Sequence, residues 1–313
     1  MGKLVARRLG WSVPSLLIVS ALTFVLASLT PGDAAKVVLG TNTDPSAYAQ
    51  IREQLGLDKP LVTQYTDWLG NAFHGDLGRS LFTDENVASI LNSRLGVTLT
   101  LIVGATVLAA LVGVAIGLVG AIRGGAAGRV ADAFAMLGMA VPGFWLGLLL
   151  ILVFAVKLGW FPVTGFVPFA QDPVKWAQSF TLPVVTLAVG GVATIAKQTR
   201  GALVDAMGTE YVRAMRANGL PSRRVIVRHC LKNAAIPVIT VVGLVMIGLL
   251  GGTIIVEQIF ALPGIGQLAV TATLQHDLPV LVGVVVYYTL IVLVSNLLVD
   301  VSYGWLSPRI QES

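Results

Sequence analysis

The chain has 313 residues, of which 55% are hydrophobic and only 12% charged, with a mean hydropathy of +0.82. A soluble domain of this length cannot hide so much apolar surface, so the composition points to lipid as the solvent. The net charge of +5 lies mostly beside apolar runs, which makes it a topology signal and argues against nucleic acid as a partner.

A hydrocarbon core about 30 Å thick takes roughly 20 apolar residues per helix. Six runs qualify: about 9–30, 97–122, 133–156, 181–197, 236–256 and 279–300, the fourth being the shortest. Alternation of period two is absent, so the expected fold is an all-α membrane protein with six transmembrane helices. The first run follows Lys3, Arg7 and Arg8 and is long enough to span. No small-x-small cleavage site follows Leu26, so an uncleaved first helix is expected. Residues 31–93 read as a polar, mildly acidic external segment containing Pro31, Pro45 and Pro60, and with the first helix they make up a region 1–93. Residues 94–303 hold five closely spaced spans, and 304–313 form a short cytoplasmic tail.

With a cytoplasmic N-terminus, the inner segments carry 14 of the 21 basic residues and the outer segments 11 of the 16 acidic ones. Basic residues near helix ends set orientation, so both termini are expected inside. Pro14, Pro142 and Pro183 fall within spans, and each removes a backbone hydrogen bond, with a kink as the expected result. Glycines four apart recur at Gly113/Gly117, Gly120/Gly124, Gly143/Gly147 and Gly248/Gly252. Such pairs let helix backbones approach closely, although glycine-rich sequence also generates them by chance.

No Asp, Glu, Lys, Arg or His lies well inside any of the six runs, and Asp300 sits at an inner end. Gradient-driven pumps use buried ionisable groups for coupling, so a secondary transporter or channel is the alternative that this pattern disfavours. An intramembrane enzyme would need a nucleophile with its base, a carboxylate pair or a metal cluster there, and the spans offer none. The chain has no G-x-x-x-x-G-K-S/T phosphate loop, so energy is expected from elsewhere. Cys230 is the only cysteine, which rules out an intrachain disulfide and a cysteine metal cluster. His74, His229 and His276 lie in three different segments on both sides of the membrane, and a shared metal site is not expected.

The most informative segment runs from Thr209 to Pro237, a long basic stretch between two spans. Glu210 to Asn218 is compatible with helix, and Gly219 can take a left-handed cap. Ser222 is a plausible N-cap for a second helix over Arg223–Asn233, and Pro237 leads into the fifth span. Two short helices joined at a glycine would make a rigid elbow below the membrane. An ordinary positive-inside loop would explain the charge, but neither the length nor the glycine.

These residues resemble the cytoplasmic loop of ABC-transporter permeases, specifically the dipeptide/oligopeptide/nickel importer branch. The match is carried by Glu210-Tyr211-Val212-Arg213, Ala214, Arg216-Ala217, Gly219-Leu220, Arg228-His229, Leu231, Asn233 and Pro237. The wider superfamily's EAA motif is represented only by Arg213-Ala214-Met215, a departure that marks the peptide branch. Further resemblances follow in order along the chain. They are Pro31-Gly32-Asp33, with Ala34 where proline is usual; Gln64-Tyr65 and Trp68-Leu69; and Gly75-Asp76-Leu77-Gly78 with Ser80. The external loop resembles the branch at Glu257, Ile259-Phe260, Pro263-Gly264-Ile265-Gly266, Asp277 and Pro279. The tail does so at Asn296, Asp300, Tyr303 and Pro308-Arg309-Ile310, with Ser307 where aspartate is common.

Tight turns and local hydrogen bonding are the simpler reading of most external motif residues, Asp76 and Asp277 among them. The resemblance implies a type I importer permease in the bacterial plasma membrane, moving peptides or related small solutes. It implies no catalytic residue, cofactor or metal in this chain, with ATP and Mg held by partner subunits. The implied partners are a second, homologous permease, two cytoplasmic ATP-binding subunits and an extracytoplasmic solute-binding protein. Coupling to the ATPases is expected through Glu210, Tyr211, Arg213, Ala214, Arg216, Gly219, Arg228, His229 and Asn233.

Overall fold

The computed structural model describes residues 2–29, 32–40 and 44–306, and side chains at all of these except 2–7, 9 and 303–306. Pro31 and the tail from Ser307 lie outside the described residues. In chain order the helices are α1 (Gly2–Leu29), α2 (Ala34–Leu39), α3 (Pro45–Gln54), α4 (Leu61–Ala72), α5 (Val87–Arg123), α6 (Gly125–Ala140) and α7 (Gly143–Leu150). A π-helical stretch, Ile151–Lys157, continues α7. There follow α8 (Pro173–Gly208), α9 (Glu210–Ala217), α10 (Ser222–Val225), a π turn at Ile226–Cys230, α11 (Leu231–Ile259), α12 (Ile265–Gln275) and α13 (Leu278–Leu306).

Five of the six expected spans fall on helices long and apolar enough to cross a membrane: Gly10–Leu29, Val87–Arg123, Pro173–Gly208, Ser222–Ile259 and Leu278–Ser302. The third expected span is different. It divides into Gly125–Ala140 and Gly143–Lys157, bent by 95°. The cause is Pro142, whose ring disfavours α geometry at the preceding residue; Val141 accordingly sits at φ −76°, ψ 122°. Pro14 and Pro183, by contrast, lie within continuous helices. The fourth span, the shortest run of the sequence, is a 36-residue helix and the most buried of the candidates.

Contacts group the chain into two compact units, Leu99–Leu262 with α13 from Val294, and Gly2–Thr98 with Pro263–Leu293. The boundary at Thr98/Leu99 falls within α5, and residues 263–293 group with the N-terminal part. In the first unit α8 packs against α6, α7 and α11. Gly113 and Gly117 bring α5 onto it. A Cβ at Gly117 would stand 2.6 Å from the Ala196 carbonyl oxygen, and one at Gly113 2.9 Å from that of Val192. Of the four glycine pairs, this is the one whose two members both make a close helix contact; Gly124, Gly143 and Gly248 face open space.

In the second unit α1 is held to α4 by Phe24, whose ring lies 5.3 Å from Tyr65 and 5.6 Å from Trp68. The Tyr65 hydroxyl also lies 3.1 Å from Ser20 Oγ and donates to the Leu17 carbonyl. Val87, Leu91, Ile265, Leu268, Ala272, Val280 and Val284 form this unit's apolar core.

Candidate functional site

The elbow begins one residue after α8, at Thr209, the N-cap of α9. Helix α9 is short and strongly two-sided. Val212 is fully buried and Met215 half-buried, whereas Glu210, Arg213, Ala214, Arg216 and Ala217 are exposed. Val212 enters a cluster with Ala121, Leu203, Ala206, Val225, Cys230 and Ala234. Burial of one valine side chain contributes about 1.5–3 kcal/mol, enough to seat a helix of eight residues on the ends of the long ones. Cys230 is thus one of the apolar residues of this cluster.

Helix α9 ends where the glycine predicts. Gly219 adopts φ +79°, its N–H donates to the Arg216 carbonyl at 3.0 Å, and the Leu220 N–H donates back to Met215 at 3.2 Å. This pair of bonds is the Schellman closure, which satisfies carbonyls that a helix end leaves open. The chain restarts with Pro221 as N-cap, so Ser222 is the first helical residue and not the cap itself.

The second half of the elbow corrects the sequence reading. The helix does not stop before the fifth span; it runs from Ser222 to Ile259, with Pro237 inside it. The π turn supplies the reason. Val225, Cys230, Ala234 and Val238 are all buried, at spacings of five, four and four. An α-helix would rotate Val225 away from the other three, but an i→i+5 turn brings it into line. The Leu231 N–H donating to the Ile226 carbonyl is such a bond. Continuous burial along this stripe outweighs the one hydrogen bond that Pro237 cannot donate.

The expected coupling residues occupy distinct positions. Tyr211 and Asn233 bind each other, the Asn233 amide donating to the Tyr211 hydroxyl at 2.6 Å, so this pair braces α9 against the base of α11. Arg228 is exposed and His229 half-buried in the π turn. Arg213, Arg216, Arg223, Arg224, Arg228 and Lys232 together give the elbow an exposed basic face. Glu210 and Arg213, three residues apart in the first turn, are both solvent-exposed and form no ion pair within 4.0 Å.

Most of the motif residues expected to be external, from Gly32–Asp33, Gly75–Ser80, Pro263–Gly266 and Asp277–Pro279, fall within the second unit although they are far apart in sequence. Asp76 accepts from the Gly78 N–H at 2.9 Å, a local turn, and Gly75 and Gly78 have φ of +85° and +91°. Asp277 does more than a local turn requires. It accepts from Ser80 Oγ at 2.5 Å and from the Leu81 N–H at 3.3 Å, and lies 3.5 Å from the Val280 nitrogen. Burial pushes its carboxyl above the ordinary range, against the opposing pull of Ser80, Leu81 and Val280. Pro279 sits against Gly78. The Ile265 N–H donates to Thr98 Oγ1 at 2.9 Å directly after Pro263 and Gly264, and Gly266 is buried in α12.

Gly32 faces the His276 ring so closely that a Cβ there would fall 2.0 Å from Nε2. Asp33 caps α2 through the Ala35 N–H at 2.9 Å, and accepts from the Tyr48 hydroxyl and from Arg52 Nη1 at 2.8 Å. Burial raises the Asp33 carboxyl, but the Tyr48, Ala35 and Arg52 bonds outweigh it and hold the group below the usual carboxylate range. In the other unit Glu257 is fully buried at the end of α11, and Asp300 is half-buried in α13. No group of three or more His, Cys, Asp or Glu side chains among the described residues is arranged to hold a metal.

Comparison with known proteins fits this geometry. Residues 111–312 match the family described as binding-protein-dependent transport system inner membrane component. Residues 1–102 match the N-terminal region described for such membrane components. The chain is 39% identical over 312 residues to a protein of Brucella abortus (strain 2308) named as a peptide transport system permease, with 99% of each chain covered. It is 36% identical to a peptide ABC transporter permease, y4tP, of Sinorhizobium fredii, covering 99% of this chain and all of that one. It is 38% identical to the glutathione transport system permease GsiC of Escherichia coli (strain K12), with 98% of both chains covered. Among solved structures, a chain of the inward-facing methionine ABC transporter MetNI superposes with a TM-score of 0.58 at 18% identity, over 70% of this chain and 97% of that one, a likeness of fold.

Proposed function

The chain belongs to the family of binding-protein-dependent transport system inner membrane components, and on that premise we propose that it is a permease subunit of an ATP-driven importer of peptides or related small solutes. The names of its relatives, which cover peptides and glutathione, support that solute class. The reading places the chain in the bacterial plasma membrane with both termini cytoplasmic. It gives the chain a homologous permease partner, two cytoplasmic ATP-binding subunits that hold ATP and Mg, and an extracytoplasmic solute-binding protein.

The observation that carries this reading is the elbow. Its apolar side is locked into the helix ends by Val212, and its opposite side offers exposed cations. In the proposed mechanism, closure of the ATPase pair moves the elbow as one body with α8 and α11, and the two permeases switch between inward- and outward-facing states. ATP can drive such a switch only by favouring one state differentially. Exposed Glu210, Arg213, Ala214, Arg216, Arg223, Arg224 and Arg228 would then contact the ATPase, while Tyr211, Gly219 and Asn233 shape the elbow.

The test is uptake of labelled di-, tri- and longer peptides by a strain deleted for this chain and by the complemented strain, together with reporter fusions for topology. Fusions after Lys59 and Asp172 should report the outside, and one after Ser222 the cytoplasm. Unchanged peptide and glutathione uptake in the deletion strain would refute the solute class, and an external report at Ser222 would refute the orientation.

A further inference from the structure

Beside the elbow's root, α6 and α8 enclose a second polar feature that the transport reading does not use. Arg200 of α8 lies across two glycines. A Cβ at Gly120 would meet its Cδ at 3.2 Å, and one at Gly128 would meet its Nη2 at 2.9 Å. The side chain thus packs closely against two positions that lack side chains. Its Nη1 donates to Asp132 of α6 at 3.0 Å, while its Nε is buried with no hydrogen-bond partner among the described residues. Held this way, Arg200 forms one wall of a cleft of about 460 Å³ that is also lined by Lys197, Gln198, Gly201, Asp132 and Met136.

Three properties of the cleft define its ligand. The first is charge. Lys197 is exposed and three residues from Arg200, hence on the same side of α8. Two cations against the single carboxylate of Asp132 leave one net positive charge and surplus donors. The second is depth. No charged residue occurs on α8 from Val184 to Ala196, and Lys197 ends that run; Asp132 is likewise the last charge on α6 before its apolar stretch. The cleft thus lies where apolar helix surface gives way to polar, the level of lipid headgroups. The third is surroundings. Met136, which lines the cleft, and the following Leu137 are both exposed on α6 by about two thirds. A donor-rich pocket at the edge of an apolar helix surface suits an amphiphile whose head is an anion.

We infer that this cleft binds the phosphate of an anionic phospholipid, with Lys197 as its principal contact and Arg200 as the fixed cation behind it. The inference uses the membrane placement given above but not the solute or the partners, so a readout on the isolated full chain separates it from the transport reading. The chain is purified in dodecyl maltoside, and its melting is followed by tryptophan fluorescence with added dioleoyl phosphatidylglycerol, with dioleoyl phosphatidylcholine, or with inorganic phosphate. A ligand that binds only the native state raises Tm. The expected result is a rise with phosphatidylglycerol that phosphatidylcholine does not reproduce, and its loss in Lys197→Glu and Lys197→Gln but not in Lys197→Arg. Lys197 is exposed, so these variants should melt like the parent in phosphatidylcholine. The glutamine variant covers the case in which a new carboxylate pairs with Arg200. Equal shifts from both lipids, or an undiminished shift in Lys197→Gln, would overturn the site. Equal protection by inorganic phosphate alone would overturn the assignment to lipid.

Discussion

Gly219 offers the cleanest perturbation of the elbow, because its role can be separated from packing. Its φ is +79°, and a Cβ built there meets no non-neighbouring atom of the described residues within 4 Å. A substitution therefore meets open space, and the penalty is one of backbone conformation alone. For an L-residue in this region that penalty is about 1–2 kcal/mol. Asn suffers less because it visits the left-handed region more readily, and Val more because it is β-branched. At roughly 1.4 kcal/mol per factor of ten, Gly219→Ala should shift the elbow's equilibrium toward open forms several-fold, and Gly219→Val further. The assay is peptide uptake and ATP hydrolysis in vesicles containing the assembled transporter, with membrane insertion checked by quantifying the chain. We expect coupled uptake to fall in the order Gly, Asn, Ala, Val at equal insertion. Val transporting at the parental rate would show that the elbow's shape does not matter. Asn as damaging as Val would show that side-chain bulk against a partner, not backbone strain, is responsible.

Other perturbations give distinct signatures. Glu210→Ala should leave the melting of the isolated permease unchanged, since an exposed charge contributes about 0–1 kcal/mol. It should lower ATPase co-purification or uncouple hydrolysis from uptake, and unchanged values in both would leave Glu210 a solvated surface charge. Asp277→Ala strips Ser80 and Leu81 of their acceptor and should destabilise the chain by about 1–3 kcal/mol, with Asp277→Asn milder. Because burial raises the Asp277 carboxyl, the native state holds its proton to higher pH than the unfolded state. The contribution of this group to stability should therefore fall as pH rises from its ordinary value of 3.8 through its raised folded value, a dependence that Asp277→Asn should abolish in melts across pH. Gly117→Leu should prevent assembly of α5 on α8, read as lost chain in the membrane, whereas Gly248→Leu, facing open space, should be tolerated.

Much of this was legible in the residues, and the parts that were not share a cause. Apolar run length locates helices in lipid, where only helices and closed barrels satisfy their backbone hydrogen bonds and the missing period-two alternation excludes the barrel, so five spans follow directly from the sequence. The third fails as a straight helix because Pro142 acts through Val141, whereas Pro14 and Pro183 leave their helices continuous. Proline removes one bond; what surrounds the freed carbonyl decides whether the helix breaks. The left-handed turn at Gly219 was legible because it is local. The hold of Asp277 on Ser80, across 197 positions, was not, because a carboxylate beside proline looks the same whether it closes its own turn or reaches another loop.

The π turn shows a signal that was present but needed a different period to be read. At α-helical spacing Val225 falls off the stripe of Cys230, Ala234 and Val238, and the sequence reading ends a second helix at Asn233, before Pro237. The structure keeps one helix and changes its pitch over Ile226–Cys230. That choice bears on function. With a break, a push on the elbow would be absorbed at the joint. On the proposed mechanism, a continuous helix from Ser222 to Ile259 would carry the same push along α11, and the Tyr211–Asn233 bond would tie α9 to that motion. Such a lever would need stiffness between the point of force and the load, which the re-phased apolar stripe would provide, with the hydrogen bond that Pro237 forgoes as the local cost.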